Sequence, residues 1–296
     1  MQDRAMNRQR PASEPAAADG AARRGLRHAL QALQAIVMRE LLKFARQTGR
    51  LVSALVRPLL WLAVFAAGFR NVFGVASVEP YDTYIPYDVY IAPGLVGMVL
   101  LFNGMQSSLA MVYDREMGLM RLLMTAPLPR SWLLACKLCA TALLSVLQAM
   151  AFVAVAWLLG TQLPVLTAAG LHAVLALVCA ALMLGALGLF LSVHIRQLEN
   201  FAGTMNFVIF PMYFMSTALY PLWKLQESGA DWVYQLARFN PFTHAVEWIR
   251  FALYGKDPGA SPWVVLGCLA VFFGLACWGY DPQRGFGGLA KRKPGG

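Results

Sequence analysis

Leu171-His172-Ala173-Val174-Leu175-Ala176-Leu177-Val178-Cys179-Ala180-Ala181-Leu182-Met183-Leu184-Gly185-Ala186-Leu187-Gly188-Leu189-Phe190-Leu191-Ser192-Val193 contains no Asp, Glu, Lys or Arg. A helix of about 20 such residues crosses a hydrocarbon core of about 30 Å. Inside that core each backbone N–H and C=O must be satisfied within the segment, which a helix achieves. The stretch therefore predicts a membrane-spanning helix. Moving outward, the same signal recurs at 132–159 and 201–220 on either side, then at 89–113, 53–69 and 262–280. The fold class expected is an all-α integral membrane protein with about six transmembrane helices. Composition agrees: of 296 residues, 58% are hydrophobic and 14% charged, where an ordinary soluble domain is about a quarter charged.

The net charge of +10 invites a nucleic-acid reading, but the placement of the charge argues against one. Basic residues crowd before residue 53, into 114–130 and 194–200, and after 280, whereas the other side holds Arg70, Lys224, Arg238, Arg250 and Lys256. Cytoplasmic loops carry such an excess, so both termini are expected in the cytoplasm and no nucleic-acid partner is. Residues 1–25, rich in Ala, Pro and Arg without an apolar core, read as a disordered cytoplasmic tail and not a signal peptide. From 26 to 50, Leu26, Leu30, Leu33, Val37, Leu41 and Phe44 recur at steps of three and four, with Arg27, Arg39, Lys43 and Arg46 on other faces. This is an amphipathic helix suited to lying on anionic membrane lipids. A six-helix transmembrane domain at 51–280 and a basic tail at 281–296 complete the organisation. Arg57, near the start of the first span, is expected to snorkel to the headgroups.

Three segments carry candidate functional residues. The charged loop after the second span includes Asp114, Arg115, Glu116, Gly118, Arg121 and Pro127, with Leu119, Leu122 and Leu123 forming one apolar face. A short helix of this kind fits a groove on a cytoplasmic partner, or else its charges merely set topology. The second segment starts at Asn240-Pro241, an N-cap followed by proline at the first helical position. Its apolar run is too short to span, so it reads as a re-entrant or interfacial helix, with His244, Glu247 and Arg250 at steps of three. They either pair locally among headgroups or line an exit. Third, polar residues stripe the spans: Asn103 and Gln106 in the second, Thr141, Ser145 and Gln148 beside Lys137 in the third, Asn206 in the fifth. Polar groups avoid lipid, so these faces bond to other helices or line a pathway.

Other chemistry finds little support. No phosphate loop, GxSxG or HExxH sequence occurs, no metal site is expected, and no acidic residue lies deep in a span. Cys136 and Cys139, at i, i+3 in an apolar helix, read as small hydrophobes.

Ala92-Pro93-Gly94, the loop Asp114-Arg115-Glu116-Met117-Gly118 through Pro127, and Asn240-Pro241-Phe242-Thr243-His244 follow in an order that resembles the permease subunit of type-2 ATP-binding-cassette (ABC) exporters. The likeness covers about residues 30–280 and is nearest to nodulation-factor and drug-export permeases of bacteria. It implies a half-transporter of the bacterial inner membrane: two permease copies in a homodimer, a separate cytoplasmic ABC ATPase subunit, and an amphiphilic cargo such as a lipid, lipid-linked glycan or drug. The permease itself would be no enzyme and hold no cofactor, since ATP and Mg would be bound by the partner. The resemblance makes 26–50 the interface helix, Asp114–Met124 the coupling helix, and 220–254 the outer-leaflet helices. Where the family often has Gly-Thr and then Glu two positions later, Leu119 and Arg121 stand here. A secondary transporter or channel without an ATPase is the alternative.

Overall fold

Apolar runs become helices at nearly the bounds their composition sets. The computed structural model describes residues 14–46, 48–69, 80–81, 85–118, 129–161, 170–195, 197–227, 229 and 231–280. Among these the helices are α1 (Glu14–Arg46), α2 (Thr48–Phe69), α3 (Tyr87–Glu116), α4 (Arg130–Leu158), α5 (Gly170–His194), α6 (Leu198–Phe214), α7 (Leu222–Glu227), α8 (Asp231–Phe239), α9 (Pro241–Leu253) and α10 (Ser261–Gly279). Helices α3, α4, α5 and α10 are long and apolar enough to cross a membrane. Helix α2 has a shorter apolar stretch, Leu55–Phe65. Helix α6 has 17 residues, about 26 Å at 1.5 Å per residue.

Three boundaries differ from expectation. Helix α1 starts at Glu14, within the segment read as a disordered tail, and residues 1–13 lie outside the described residues. Pro15 falls in its first turn, where a missing N–H costs nothing, and the alanines that follow have the highest helix propensity. Residues 48–50, expected to end the amphipathic helix, instead begin α2. Helix α6 stops at Phe214, short of the 220 expected for the fifth span. The Ser216 hydroxyl donates to the Tyr213 carbonyl at 2.6 Å and accepts from the Ala218 N–H at 3.2 Å, which turns the chain. Residues 216–219 are then buried against α3 instead of extending the span.

Helix α5 forms the centre, packed by α3, α4, α9 and α10. Small residues set its approach to α3. A Cβ on Gly188 would lie 2.6 Å from Ser108 Oγ and 2.9 Å from the Gly104 carbonyl oxygen. Without an oil–water driving force between helices in lipid, such close packing supplies the attraction. Outward faces of α5 and α10 stay apolar and exposed, as at Leu171, Leu175, Trp263 and Trp278. Helix α1 lies along α4, where the Trp132 indole donates to the Ala29 carbonyl at 3.2 Å. Its Leu33, Val37, Leu41 and Phe44 are half-buried, while Leu30, Met38 and Leu42 are exposed.

Gly94 is the tightest contact between α3 and the 216–219 link. A Cβ there would meet the Ala218 carbonyl oxygen at 2.6 Å and its Cα at 2.7 Å. Backbone cannot step aside as a side-chain tip can, so Gly94→Ala is expected to cost about 1–3 kcal/mol. A fluorescence melt of the detergent-purified chain checks this; an unchanged midpoint would show that the link has room to shift.

Candidate functional site

At the end of the bundle beside α1, three consecutive residues of α3 each hold a different helix. Asp114 Oδ2 lies 3.5 Å from Lys137 Nζ of α4, both side chains being largely buried. The Arg115 guanidinium donates to the Ser192 carbonyl at 2.9 Å, in the last turn of α5. The Leu198 N–H donates to Glu116 Oε1 at 2.8 Å, so this carboxylate caps α6 from another element. Helix C-termini leave carbonyls unpaired and N-termini leave N–H groups unpaired, and the cation and the anion meet the ends of matching polarity. Gly118 follows with φ 73°, and its N–H bonds to the Arg115 carbonyl, which closes α3. Arg121 and Pro127 lie outside the described residues, as do Leu119–Met124 of the expected coupling helix.

Deeper in the bundle, the polar stripes of α3 and α4 face each other. Asn103 Nδ2 donates to Ser145 Oγ at 2.7 Å, and the Ser107 and Thr141 hydroxyls share a hydrogen bond of 2.6 Å. Gln148 is buried, with Oε1 unpartnered. It lines a cleft with Gln106, Asn103, Phe102 and Arg57. The Arg57 guanidinium, expected to snorkel to the headgroups, lies over the Phe102 ring, 4.1 Å from the centroid. Asn206 does not join this group. It is exposed on α6 beside Phe207 and Phe210.

The opposite end is organised by α9. Asn240 Oδ1 accepts from the Phe242 N–H at 2.9 Å, an N-cap with Pro241 in the first turn. Its Nδ2 donates to the Met212 and Met215 carbonyls at 2.7 and 2.8 Å, tying the end of α6 to the start of α9. His244 Nε2 lies 3.1 Å from the Arg238 carbonyl and its Nδ1 3.4 Å from Ser261 Oγ. Arg250 turns inward. It is 4% exposed, donates to the Thr217 carbonyl at 2.8 Å, and lies 4.2 Å from the Tyr90 ring centroid. Tyr90 and Tyr87 hydroxyls donate to the Thr217 and Leu219 carbonyls. Glu247 stays half-buried on the same helix. Tyr81 and Tyr254 close the shell edge to face, 4.7 Å between centroids. Burial raises the Tyr81 phenol above its ordinary range, so it stays neutral beside the cation.

The model of a family described as ABC-2 type transporter matches residues 31–254. The chain belongs to that family. The ABC-2 match thus takes in all three polar regions, from the middle of α1 to the end of α9. Among curated relatives, the protein named "Putative transport permease ycf38" of Porphyra purpurea is 27% identical over 229 residues, 77% of this chain and 76% of its own length. Its namesakes from Pyropia yezoensis and Cyanophora paradoxa are 27% and 29% identical over 75% of this chain and 74% of theirs. The protein is a membrane permease subunit of ABC-2 type.

Sequence reasoning singled out Asp114, Arg115 and Glu116 but not what Arg115 and Glu116 grip, because Ser192 and Leu198 contribute backbone atoms. It missed Tyr81, Tyr87, Tyr90 and Thr217 around Arg250. An arginine in a short, largely apolar helix was itself the available signal, since a buried guanidinium must find acceptors. Lys137, a cation inside an apolar run, pointed in the same way to Asp114.

Proposed function

We propose that this ABC-2 permease is half of an ATP-driven exporter in the bacterial inner membrane. Two copies enclose a path, a separate ABC ATPase binds at the cytoplasmic side, and an amphiphile is carried outward. The observation that carries this reading is the gripping of α4, α5 and α6 by Asp114, Arg115 and Glu116. A push on the loop beginning at Gly118 reaches three helices at once without an intervening flexible link. ATP's preference for a closed ATPase dimer supplies the differential affinity that such a switch requires. Exposed α6, with Asn206, Phe207 and Phe210, offers a face to a second copy, and Arg250 with its tyrosines lies toward the exit. The α1 surface carrying Leu30, Met38 and Leu42 rests on the cytoplasmic leaflet.

The test is affinity purification of the tagged chain from gently solubilised native membranes, with mass spectrometry of co-purifying proteins and ATP-dependent uptake into inverted vesicles. A stoichiometric subunit bearing a phosphate loop, with ATP-dependent uptake, is expected. A chain that repeatedly purifies alone and transports down an ion gradient would replace this reading by a secondary transporter.

A further inference from the structure

The cleft between α2, α3 and α4 holds a cation, Arg57, and no carboxylate among the described residues that line it. Arg57 is exposed and forms no ion pair among the described residues, its guanidinium lying over the Phe102 ring. Phe102 lies midway along the 30-residue α3, about 18 Å from the Asp114 level at 1.5 Å per residue. A guanidinium at that depth is costly and marks a pathway or ligand by default. The cleft is also polar where it need not be. Gln148 is 2% exposed, yet its Oε1 has no partner. Gln106, half-buried, lines the same cleft. Asn103 and Ser145 satisfy each other and so form a closed wall. Amide oxygen and nitrogen exchange places on a flip, so Gln148 and Gln106 can offer donors or acceptors to one ligand.

We infer that Arg57, Gln106 and Gln148 form a binding site for an anionic headgroup that also carries hydroxyls, such as a phosphoglycerol. The guanidinium takes the anionic oxygens in its planar fork. The amides take the hydroxyls, and acyl chains lie along the exposed apolar face of α2, at Val56, Leu60 and Val64. The Phe102 ring holds the guanidinium in place by cation–π attraction when the site is empty. The site depends on the chemistry of the cleft and not on an ATPase, so it stands or falls separately from the coupling reading.

The experiment uses the purified full chain in neutral detergent, titrated with dioctanoyl phosphatidylglycerol, dioctanoyl phosphatidylcholine and inorganic phosphate, with retained ligand read by native mass spectrometry. Phosphatidylglycerol is expected to bind about tenfold tighter than phosphatidylcholine, and Arg57→Gln to remove that preference. Gln148→Leu is expected to weaken phosphatidylglycerol several-fold, and Arg57→Lys to retain part of the preference. Competition by inorganic phosphate would identify a site for the free anion as well; no competition would confine it to the lipid headgroup, and either result upholds the anionic site. Equal affinity for the two lipids, or wild-type preference in Arg57→Gln, overturns it. Should Arg57→Gln fail to purify as a monodisperse species, an unchanged phosphatidylglycerol affinity in Gln148→Leu overturns it instead.

Discussion

Arg250→Met is expected to abolish transport and to lower the melting midpoint of the purified permease, by about 1.5–3 kcal/mol of stability, the range for hydrogen bonds to charged groups. Met fills much of the space, so the loss is mainly electrostatic. The Thr217 carbonyl retains its bond from the Tyr90 hydroxyl, which keeps the cost away from the larger values seen when a buried charge loses its only partner. Glu247, on the same helix, would lose its neighbouring cation. Transport is expected to suffer more than folding, because Arg250 is the side chain that ties α9 to both α3 and the 216–219 link. Arg250→Lys keeps the charge but loses the planar guanidinium that lies over the Tyr90 ring and whose Nη2 reaches both the Tyr90 and Thr217 carbonyls, so it should give an intermediate midpoint. Wild-type melting and transport in Arg250→Met would show that the tyrosine shell holds this end together alone.

Glu116→Arg is the second substitution with a large expected effect. It removes the acceptor at the start of α6 and puts a cation at a helix end that already carries partial positive charge. Loss of an N-terminal cap costs about 1 kcal/mol, and the reversed helix-dipole term adds about 0.3–1 kcal/mol. Together these are too small to unfold the protein, so the chain should still insert and purify. On the coupling reading, vesicle uptake falls to background while the ATPase still co-purifies. Glu116→Gln keeps an acceptor for the Leu198 N–H and should retain part of the activity. Normal uptake in Glu116→Arg would remove this residue from any coupling role.

Much of the scaffold was legible because a long uncharged run has few structural solutions. The runs at 89–113, 132–159, 171–193 and 262–280 are helices at almost those limits. Asn240-Pro241 was legible for a local reason: an N-cap and a proline are complete signals within two residues. Harder to read was the end of α6. Nothing in the composition of 201–220 says that Ser216 turns the chain back on itself, since that depends on α3 offering Gly94 as a seat for Ala218. The same limit applies to Arg250, Arg115 and Glu116. Each was visible as a charge, but their partners are largely main-chain atoms 33 to 160 residues distant, which side-chain patterns do not record. Arg57 was read from its sequence neighbours as lying near the membrane border, whereas Phe102 of another helix decides where its head goes.

Helix α3 carries both polar ends of the molecule. Its 30 residues measure about 45 Å, with Tyr90 near one end and Asp114-Arg115-Glu116 at the other. As a lever pivoting near its middle, a tilt of about 5° would carry each end about 2 Å, in opposite directions. That displacement would break the 2.8 Å bond at Glu116 and the 3.1 Å bond at Tyr90 in a single stroke. Two latches at opposite ends of the bundle are then released together because one rod holds both.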